Sequence, residues 1–452
     1  MKDFFRLSDR ASTLSIEFFA GLTTFLTMAY IIFLQPSILS GKFSNIATGM
    51  DYGALITTTC LVAAIGCLLM GGLANYPVAL APGMGENFFF VAVIAVCSGL
   101  PGISGDLAWQ TALAVVFVSG VIFLFITILG LRRWIIGALS PSMQHAIAGG
   151  IGLFIAYIGL KNGGIIVASS SGLFISPDFR SDTVLIFFIG FTVTCALKIL
   201  GFRGHIILGI IVAAVAAAII GKIKVVFPLS LPSSPLPVLG KLNFSGVLNN
   251  LVTLLPFIVI FLFMDVFDTL GTLVGVCSQA SLMKENKIPG VERAFLADAL
   301  ATVFGAFCGH STVTSYIESA SGVEYGGRTG ATAIFAGILF LVAMFFSPFV
   351  KMIAEYPGGI NPITAPALVI VGSMMLKNVC YIKWDETGEA APAFLTLIGI
   401  PFTSSISDGL ILGIASYPII NLFGGKGKRV SWTAYVLSGL LIAYLLLVKS
   451  RT

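Results

Sequence analysis

The chain has 452 residues, 57% hydrophobic and only 10% charged, with a mean hydropathy of +1.02. Soluble proteins carry about 25% charged residues, and apolar runs of about 20 residues, the length a bilayer core roughly 30 Å thick demands of a helix, recur from end to end; the composition excludes a soluble domain and specifies an all-α polytopic membrane protein. The net charge of +5 comes from loop lysines and arginines and does not point to a nucleic-acid partner.

The N-terminal stretch "MKDFFRLSDRASTLSIE" is short, charged and polar, without the pattern of a cleavable signal peptide, so residues 1–16 are expected to form a cytoplasmic segment. Hydropathy, read against Gly, Pro and charge breaks, predicts spans at 17–39, 53–73, 79–98, 110–130, 144–161, 183–200 and 206–227, a first seven-span repeat over 17–228. A Pro- and Ser-rich linker, 229–250, leads to spans at 251–277, 294–309, 311–323, 330–349, 363–377, 391–404 and 406–423, a second repeat over 251–423. Residues 424–452 hold a basic loop and one extra apolar segment, 431–448, whose crossing of the membrane the sequence leaves open. The seven cysteines are scattered and form no CxxC pair, so neither a disulfide framework nor a zinc site is indicated.

Lysine and arginine placement sets the orientation. With a cytoplasmic N-terminus and fourteen spans, sixteen basic residues fall on the cytoplasmic side and seven outside, the bias expected of cytoplasmic loops. The basic cluster after 221 runs against it. The halves also look related. "ALITTTCLVAAIGCLLMGGL" resembles "AFLADALATVFGAFCGHS", with Gly66 and Gly305 at matching places, and Thr111 to Phe117 shares one spacing with Thr329 to Phe335. Seven spans is an odd number, so a duplication gives halves of opposite topology, and inverted repeats with broken helices mark secondary transporters with a site near the midplane.

The third span is interrupted by "ALAPGMGENFFF", where Pro82, Gly83 and Gly85 precede Glu86 and Asn87; "STVTSYIESASGVEYGG" is its counterpart in the second half, poor in helix formers and expected to run extended before a half-helix near Glu318. Irregular backbone at membrane depth needs protein or a water-filled cavity around it, so both breaks are read as leaving N–H groups free for a bound solute. Intramembrane carboxylates each need a reason. Asp265 and Asp268, three residues apart, share a helix face; two such carboxylates repel, and one is expected to hold a proton and serve coupling. Glu318, this pair and Glu86 are read as functional. Asp298 is read as bonding a neighbouring helix or Arg293, Asp408 as the cap of the helix that starts after it, Glu17 as lying at the mouth of the first span, and His310 as a satisfied packing residue. Of Phe88 to Phe90, default core or lipid residues, Phe88 is the candidate to stack on a planar ligand.

At these residues a family resemblance appears. "GLTTFLTMAYIIFLQPSIL", "ANYPVALAPGMGENFFF", "FMDVFDTLGTLVGV", "ADALATVFGAFCGHSTVTSYIESASGV", "GGRTGATA" and "TAPALVIVGSMM" resemble the AzgA-like hypoxanthine/adenine/guanine permeases, a branch of the nucleobase–cation symporters related in fold to the uracil and xanthine permeases. The resemblance covers roughly residues 15 to 450. It implies fourteen spans in a 7+7 inverted repeat, a core domain of spans 1–4 and 8–11 moving against a gate domain of spans 5–7 and 12–14, and substrate held between broken spans 3 and 10. It further implies that Asn87, Asp265 and Glu318 bind substrate and that Asp268 serves transport and proton coupling. The sequence departs from the family at Glu86, where an apolar residue usually precedes the asparagine. This leaves the identity of the purine, more than the class of substrate, open.

The expected activity is therefore proton-coupled uptake of a purine nucleobase by alternating access across a prokaryotic plasma membrane, with no cofactor beyond the proton gradient and no enzymatic step. Beside lipid and the nucleobase, a homodimer is left open, since related folds can pair through their gate domains. The rivals are a permease of the same fold for uracil, xanthine or an inorganic anion, a channel, and an intramembrane enzyme. Acids without a basic partner argue against an anion, and no nucleophile–base constellation or phosphate loop is legible.

Overall fold

A computed structural model describes residues 2–43, 46–130, 139–169, 172–280, 282–283, 288–358, 360–403 and 405–447. Arg132, Arg133, Lys284 and Lys287, counted in the charge pattern, lie outside the described residues, as do Lys449 and Arg451, which that pattern left unassigned. In chain order the elements are α1 (Leu14–Met28), α2 (Ile31–Leu39), α3 (Tyr52–Leu69), β1 (Leu80–Pro82), α4 (Met84–Ser98), α5 (Leu107–Ile128), α6 (Pro141–Asn162), the hairpin β2 (Ile166–Ser169) and β3 (Gly172–Ile175), α7 (Asp182–Ile199) and α8 (His205–Ile219). The second half runs α9 (Leu251–Gln279), α10 (Val291–Phe307), β4 (Val313–Ser315), α11 (Ser319–Tyr325), α12 (Gly330–Ala343), α13 (Ala365–Met375), α14 (Thr387–Thr403), α15 (Ile406–Phe423) and α16 (Trp432–Leu447). Among the described residues, seven helical stretches are long and apolar enough to cross a membrane, and further apolar helices are shorter.

Helix starts follow local chemistry. Thr13, Asp51, Ser140 and Ser181 accept hydrogen bonds from amides in the first turns of α1, α3, α6 and α7, each meeting one of the donors a helix N-terminus leaves unpaired. Two expectations are corrected. The span predicted at 206–227 ends at Ile219, followed by Gly221 with φ +82°, and most of 222–243 is irregular; apolar composition carried the prediction past a glycine stop. Asp408 does not cap α15. That helix begins two residues earlier and Ser405 accepts from the Asp408 amide at 3.3 Å, placing Asp408 in the first turn. The basic residue Lys222, which ran against the charge bias, pairs with Asp182 at 2.9 Å.

The helices pack as two groups. Against β1 and β4 stand α3, α9 and α10, with α1, α5 and α12 packed on them; α6, α7, α8, α13, α14 and α15 form the other group, with α16 docked on α15 and Ser438 donating to the Ala415 carbonyl at 2.9 Å. These are the expected core and gate. Small residues set the approach distances: a Cβ at Gly330 would strike the backbone of Gly71, and one at Gly152 would lie 2.8 Å from the Gly372 carbonyl, the close contact small residues permit between membrane helices. The sequence-matched glycines are also structurally matched. Gly66 packs against Leu80 of β1 and Gly305 against Val313 of β4.

Glu17 ties the first span to the second half. It is fully buried and accepts from Ser12 Oγ (2.6 Å), the Arg328 amide (3.1 Å), the Thr329 amide (3.3 Å), the Thr332 amide (3.2 Å) and the Thr332 hydroxyl. It thereby caps the start of α12 from another helix. Removing it strands several buried donors, at about 1–3 kcal/mol for each one left unmatched. Glu17→Ala is expected to lower the unfolding midpoint of detergent-solubilised protein well below that of Glu17→Gln, which retains an acceptor oxygen; equal midpoints for both variants and the parent would refute this role.

Candidate functional site

The two breaks meet. β1 and β4 pair antiparallel, with Leu80 opposite Ser315, Ala81 opposite Thr314 and Pro82 opposite Val313. The ladder is extended by the Gly83 amide to the Thr312 carbonyl and the Tyr316 amide to the Ala79 carbonyl, both at 3.0 Å. Each strand then turns into a half-helix, α4 after Gly83 and α11 after Glu318. Free amides were expected at both. At α11 they are closed: Ser319, Ala320 and Ser321 bond back to the carbonyls of Tyr316, Ile317 and Glu318 at 3.0–3.1 Å. At α4 the amides of Met84 and Gly85 have no acceptor among the described residues, while the first-turn carboxylate of Glu86 lies against this N-terminus and complements its dipole.

Glu318 stands at the N-terminus of α11, partly exposed, and accepts from the Tyr30 hydroxyl at 2.6 Å. Tyr30 is buried at the joint between α1 and α2, so span 1 orients this carboxylate. Asp268 is exposed, on a stripe of α9 with Gly271 and Gly275; Gly275 lies against Ile317, beside Glu318. Glu318 and Asp268 therefore share one accessible surface beside the strand crossing.

Asp265 behaves differently from Asp268, although the two share a helix and interact electrostatically. It is buried behind β4, where Thr302 Oγ1 donates to its Oδ2 at 2.8 Å, and its Oδ1 has no partner among the described residues. Asp298 lies nearby, fully buried, with neither carboxylate oxygen meeting a donor in hydrogen-bonding geometry among the described residues. Of the two expected partners, exposed Arg293 makes no ion pair with it among the described residues, whereas Thr269 of the neighbouring helix α9 is close enough to act on its carboxylate. Glu86 is buried as well. Its carboxylate folds back over Gly83, where a Cβ would collide with Oε2 and lie 3.2 Å from Thr314 Oγ1. The glycine before the half-helix is thus the space in which this acid sits.

Asn87 belongs to a buried chain of neutral groups. Ser311 Oγ donates to Asn87 Oδ1, and Asn87 Nδ2 donates to Gln35 Oε1. Gln35 Nε2 meets His310 Nδ1 at 3.0 Å, and His310 Nε2 meets Thr58 Oγ1 at 2.8 Å. With Gln35 so oriented, Nδ1 accepts and Nε2 carries the hydrogen. Thr58 in turn donates to the Ala54 carbonyl at 3.0 Å. Spans 1, 2, 3 and the approach to span 10 are joined by this chain, and Asn87 itself has no exposed surface. His310 is satisfied on both nitrogens. Phe88 is buried and meets Phe154 of α6 edge-on at 5.9 Å, at a contact between the two helix groups, where Gly85 also lies against Ile151.

Sequence reasoning passed over Gln35, Tyr30, Thr302 and Ser311. Gln35 offered a signal, as an amide beside Pro36 in an otherwise apolar run. Tyr30, Thr302 and Ser311 are ordinary residues whose roles come from partners distant in sequence.

The xanthine/uracil permease model, described as "Permease family", matches residues 15–411. The chain is 42% identical over 456 residues to the guanine/hypoxanthine permease PbuG of Bacillus subtilis, covering 99% of this chain and 100% of the relative. To the adenine permease AdeQ of Escherichia coli it is 39% identical over 445 residues, 98% of this chain and 96% of the relative. In fold it is similar to the transmembrane domain of the cyanobacterial bicarbonate transporter BicA, with a TM-score of 0.60 at 13% identity over 89% of this chain and 97% of that one.

Because Asn87 and Gln35 act through one bond, their losses should overlap. In a double-mutant cycle of Asn87→Ala and Gln35→Ala read by thermal unfolding, the double variant is expected to fall short of the sum of the singles by about 0.5 kcal/mol or more. Strict additivity would show that the two side chains stabilise the fold separately.

Proposed function

The chain belongs to the xanthine/uracil permease family, and from that premise we propose that it carries purine nucleobases, among adenine, guanine and hypoxanthine, into the cell in symport with protons. The observation that carries the substrate class is full-length similarity to a guanine/hypoxanthine permease and an adenine permease, combined with an accessible acid pair at the strand crossing. A purine is planar, with donors and acceptors on its rim and apolar faces. Glu318, held by Tyr30, accepts from rim N–H groups; the open amides of Met84 and Gly85 suit a rim acceptor; Phe88, at the core–gate contact, supplies an aromatic edge or face.

Asp268 is the accessible acid for the coupled proton, with Asp265 behind it as second acceptor. The missing donor at Asp265 Oδ1 is supported as a proton position by the absence of any protein group to fill it among the described residues. Asn87 acts on substrate by fixing α4 against spans 1 and 2. Glu86, folded over Gly83 next to Thr314, shapes the space between the strands and so tunes which purine fits. An anion such as that of the bicarbonate transporter is disfavoured by carboxylates on the accessible surface. Transport needs no covalent step: core and gate rock around a fixed site. The bias of basic residues supports a cytoplasmic N-terminus in a plasma membrane.

The test is uptake of radiolabelled adenine, guanine and hypoxanthine by cells lacking their own purine permeases. Uptake of at least one purine should collapse with a protonophore. Glu318→Gln and Asp268→Asn should lower it about tenfold or more at equal membrane abundance, and Tyr30→Phe should raise KM more than it lowers kcat, since it orients the binding carboxylate. Well-inserted protein that moves none of the three purines would overturn the reading.

A further inference from the structure

A cavity lies away from the strand crossing, at the face that carries the N-terminal segment. It has a volume of about 630 Å³ and is lined by Arg6, Asp9, Arg10, Tyr76, Pro289 and Arg328, among others. Among the described lining residues three guanidiniums thus face one carboxylate, with Glu292 further off beside Tyr76. Glu17, the other acid near Arg10, is buried and already accepts from the Ser12, Thr329 and Thr332 groups and the Arg328 amide, so it is not a free counter-charge. Among the described residues none of the three arginines makes an ion pair.

Two of the arginines are held in place. Arg10 Nη1 donates to the Asn75 carbonyl at 2.7 Å and the Arg328 carbonyl at 2.8 Å, and Arg328 Nη1 donates to the carbonyls of Val323 (2.6 Å) and Gly327 (2.8 Å). Each guanidinium is pinned through one nitrogen, and its remaining N–H groups have no protein acceptor among the described residues. Arg10 is half-buried, and that burial pushes its guanidinium below the ordinary arginine range, with Tyr76 and Glu17 acting the other way. The backbone is strained at the same place: Arg6, Ala11 and Asn75, with φ of +51°, +48° and +55°, are the non-glycine residues with left-handed φ among those described.

We propose that this cavity binds a phosphate-bearing anion, gripped by the free forks of Arg6, Arg10 and Arg328. Pinned, planar guanidiniums match phosphate oxygens in geometry and charge, and a bound dianion would relieve an uncompensated cationic cluster. The site reaches the transport machinery through Asn75, whose carbonyl accepts from Arg10 and whose Oδ1 accepts from the Gly330 amide at 2.7 Å. The turns beside both broken spans therefore end on this cavity, and an occupied site stiffens them together. The proposal does not rest on the identity of the transported solute. A lipid headgroup at the membrane surface and a soluble phosphorylated metabolite present the same chemistry.

The test uses the full-length protein in nanodiscs, with pyrophosphate as the soluble probe at ionic strength held constant with chloride, and unfolding temperature as the readout, since a ligand of the native state raises it. In phosphatidylcholine discs, stabilisation by pyrophosphate with a half-effect concentration at least about tenfold higher in Arg6→Gln and in Arg10→Gln supports a soluble ligand. Stabilisation by phosphatidylglycerol discs without a pyrophosphate response, lost in Arg6→Gln, supports a headgroup. Arg6 is exposed, so its variant keeps the test valid if Arg10→Gln fails to fold. Lys198→Gln, in the separate cavity between α7 and α13, should change neither response. No stabilisation beyond the chloride control in either disc, or stabilisation that persists unchanged in both arginine variants, overturns the proposal.

Discussion

A three-residue antiparallel ladder is the constraint on which the rest of this molecule depends. Extended backbone inside a bilayer exposes N–H and C=O groups that lipid cannot satisfy, at several kcal/mol each. Here β1 and β4 satisfy one another along their shared edge, and side chains attend to the outer edges. Thr302 Oγ1 accepts from the Val313 amide, Thr269 Oγ1 from the Ser315 amide and Ser319 Oγ from the Ala79 amide, at 3.0–3.2 Å. Tyr316 donates to the Pro82 carbonyl at 2.5 Å. Pro82, which has no N–H, stands at the end of its strand without a debt. The half-helices can begin at membrane depth only because this small sheet closes the backbone accounts before them.

That solution determines how polarity is distributed around the crossing. Neutral groups do the joining: the chain from Ser311 through Asn87, Gln35 and His310 to Thr58 passes each hydrogen bond in one direction, so every member is satisfied and none carries charge. Buried networks of this kind are stiff when complete. The acids occupy different depths. Asp268 and Glu318 reach the accessible surface, whereas Asp265, Asp298 and Glu86 lie behind or between the strands. One helix thereby presents one carboxylate outward and another inward.

The packing of small residues gives the second requirement, relative movement. Core helices approach closely at Gly71 and Gly330, gate helices at Gly152 and Gly372, and the contact between groups includes Phe88 on Phe154 and Gly85 on Ile151. Apolar surfaces without hydrogen bonds can slide or separate at lower cost than a bonded interface. Polar bonds hold each group together, and apolar contact lets one move on the other.

Much of this was legible in the residues. Membrane character followed from composition, the span positions from hydropathy, and the two breaks from Pro82, Gly83 and the hydroxyl-rich "STVTSY", because lipid imposes one length and one polarity on a crossing helix. The acids beside the breaks were legible for the same reason: a carboxylate in an apolar run has few structural excuses. The helix end at Ile219 was misplaced, since a glycine stop shifts a boundary without altering apolar content, and Asp408 was misread as a cap although the span 406–423 itself matches α15. Tertiary structure alone decided that Asp265 turns inward while Asp268 faces out, that Asn87 joins a chain through Gln35 and His310, and that Glu17 caps a helix more than 300 positions away (|i−j| up to 315). Those roles depend on partners brought together by folding, and a side chain's partner is set by three-dimensional proximity that no local pattern of polarity encodes.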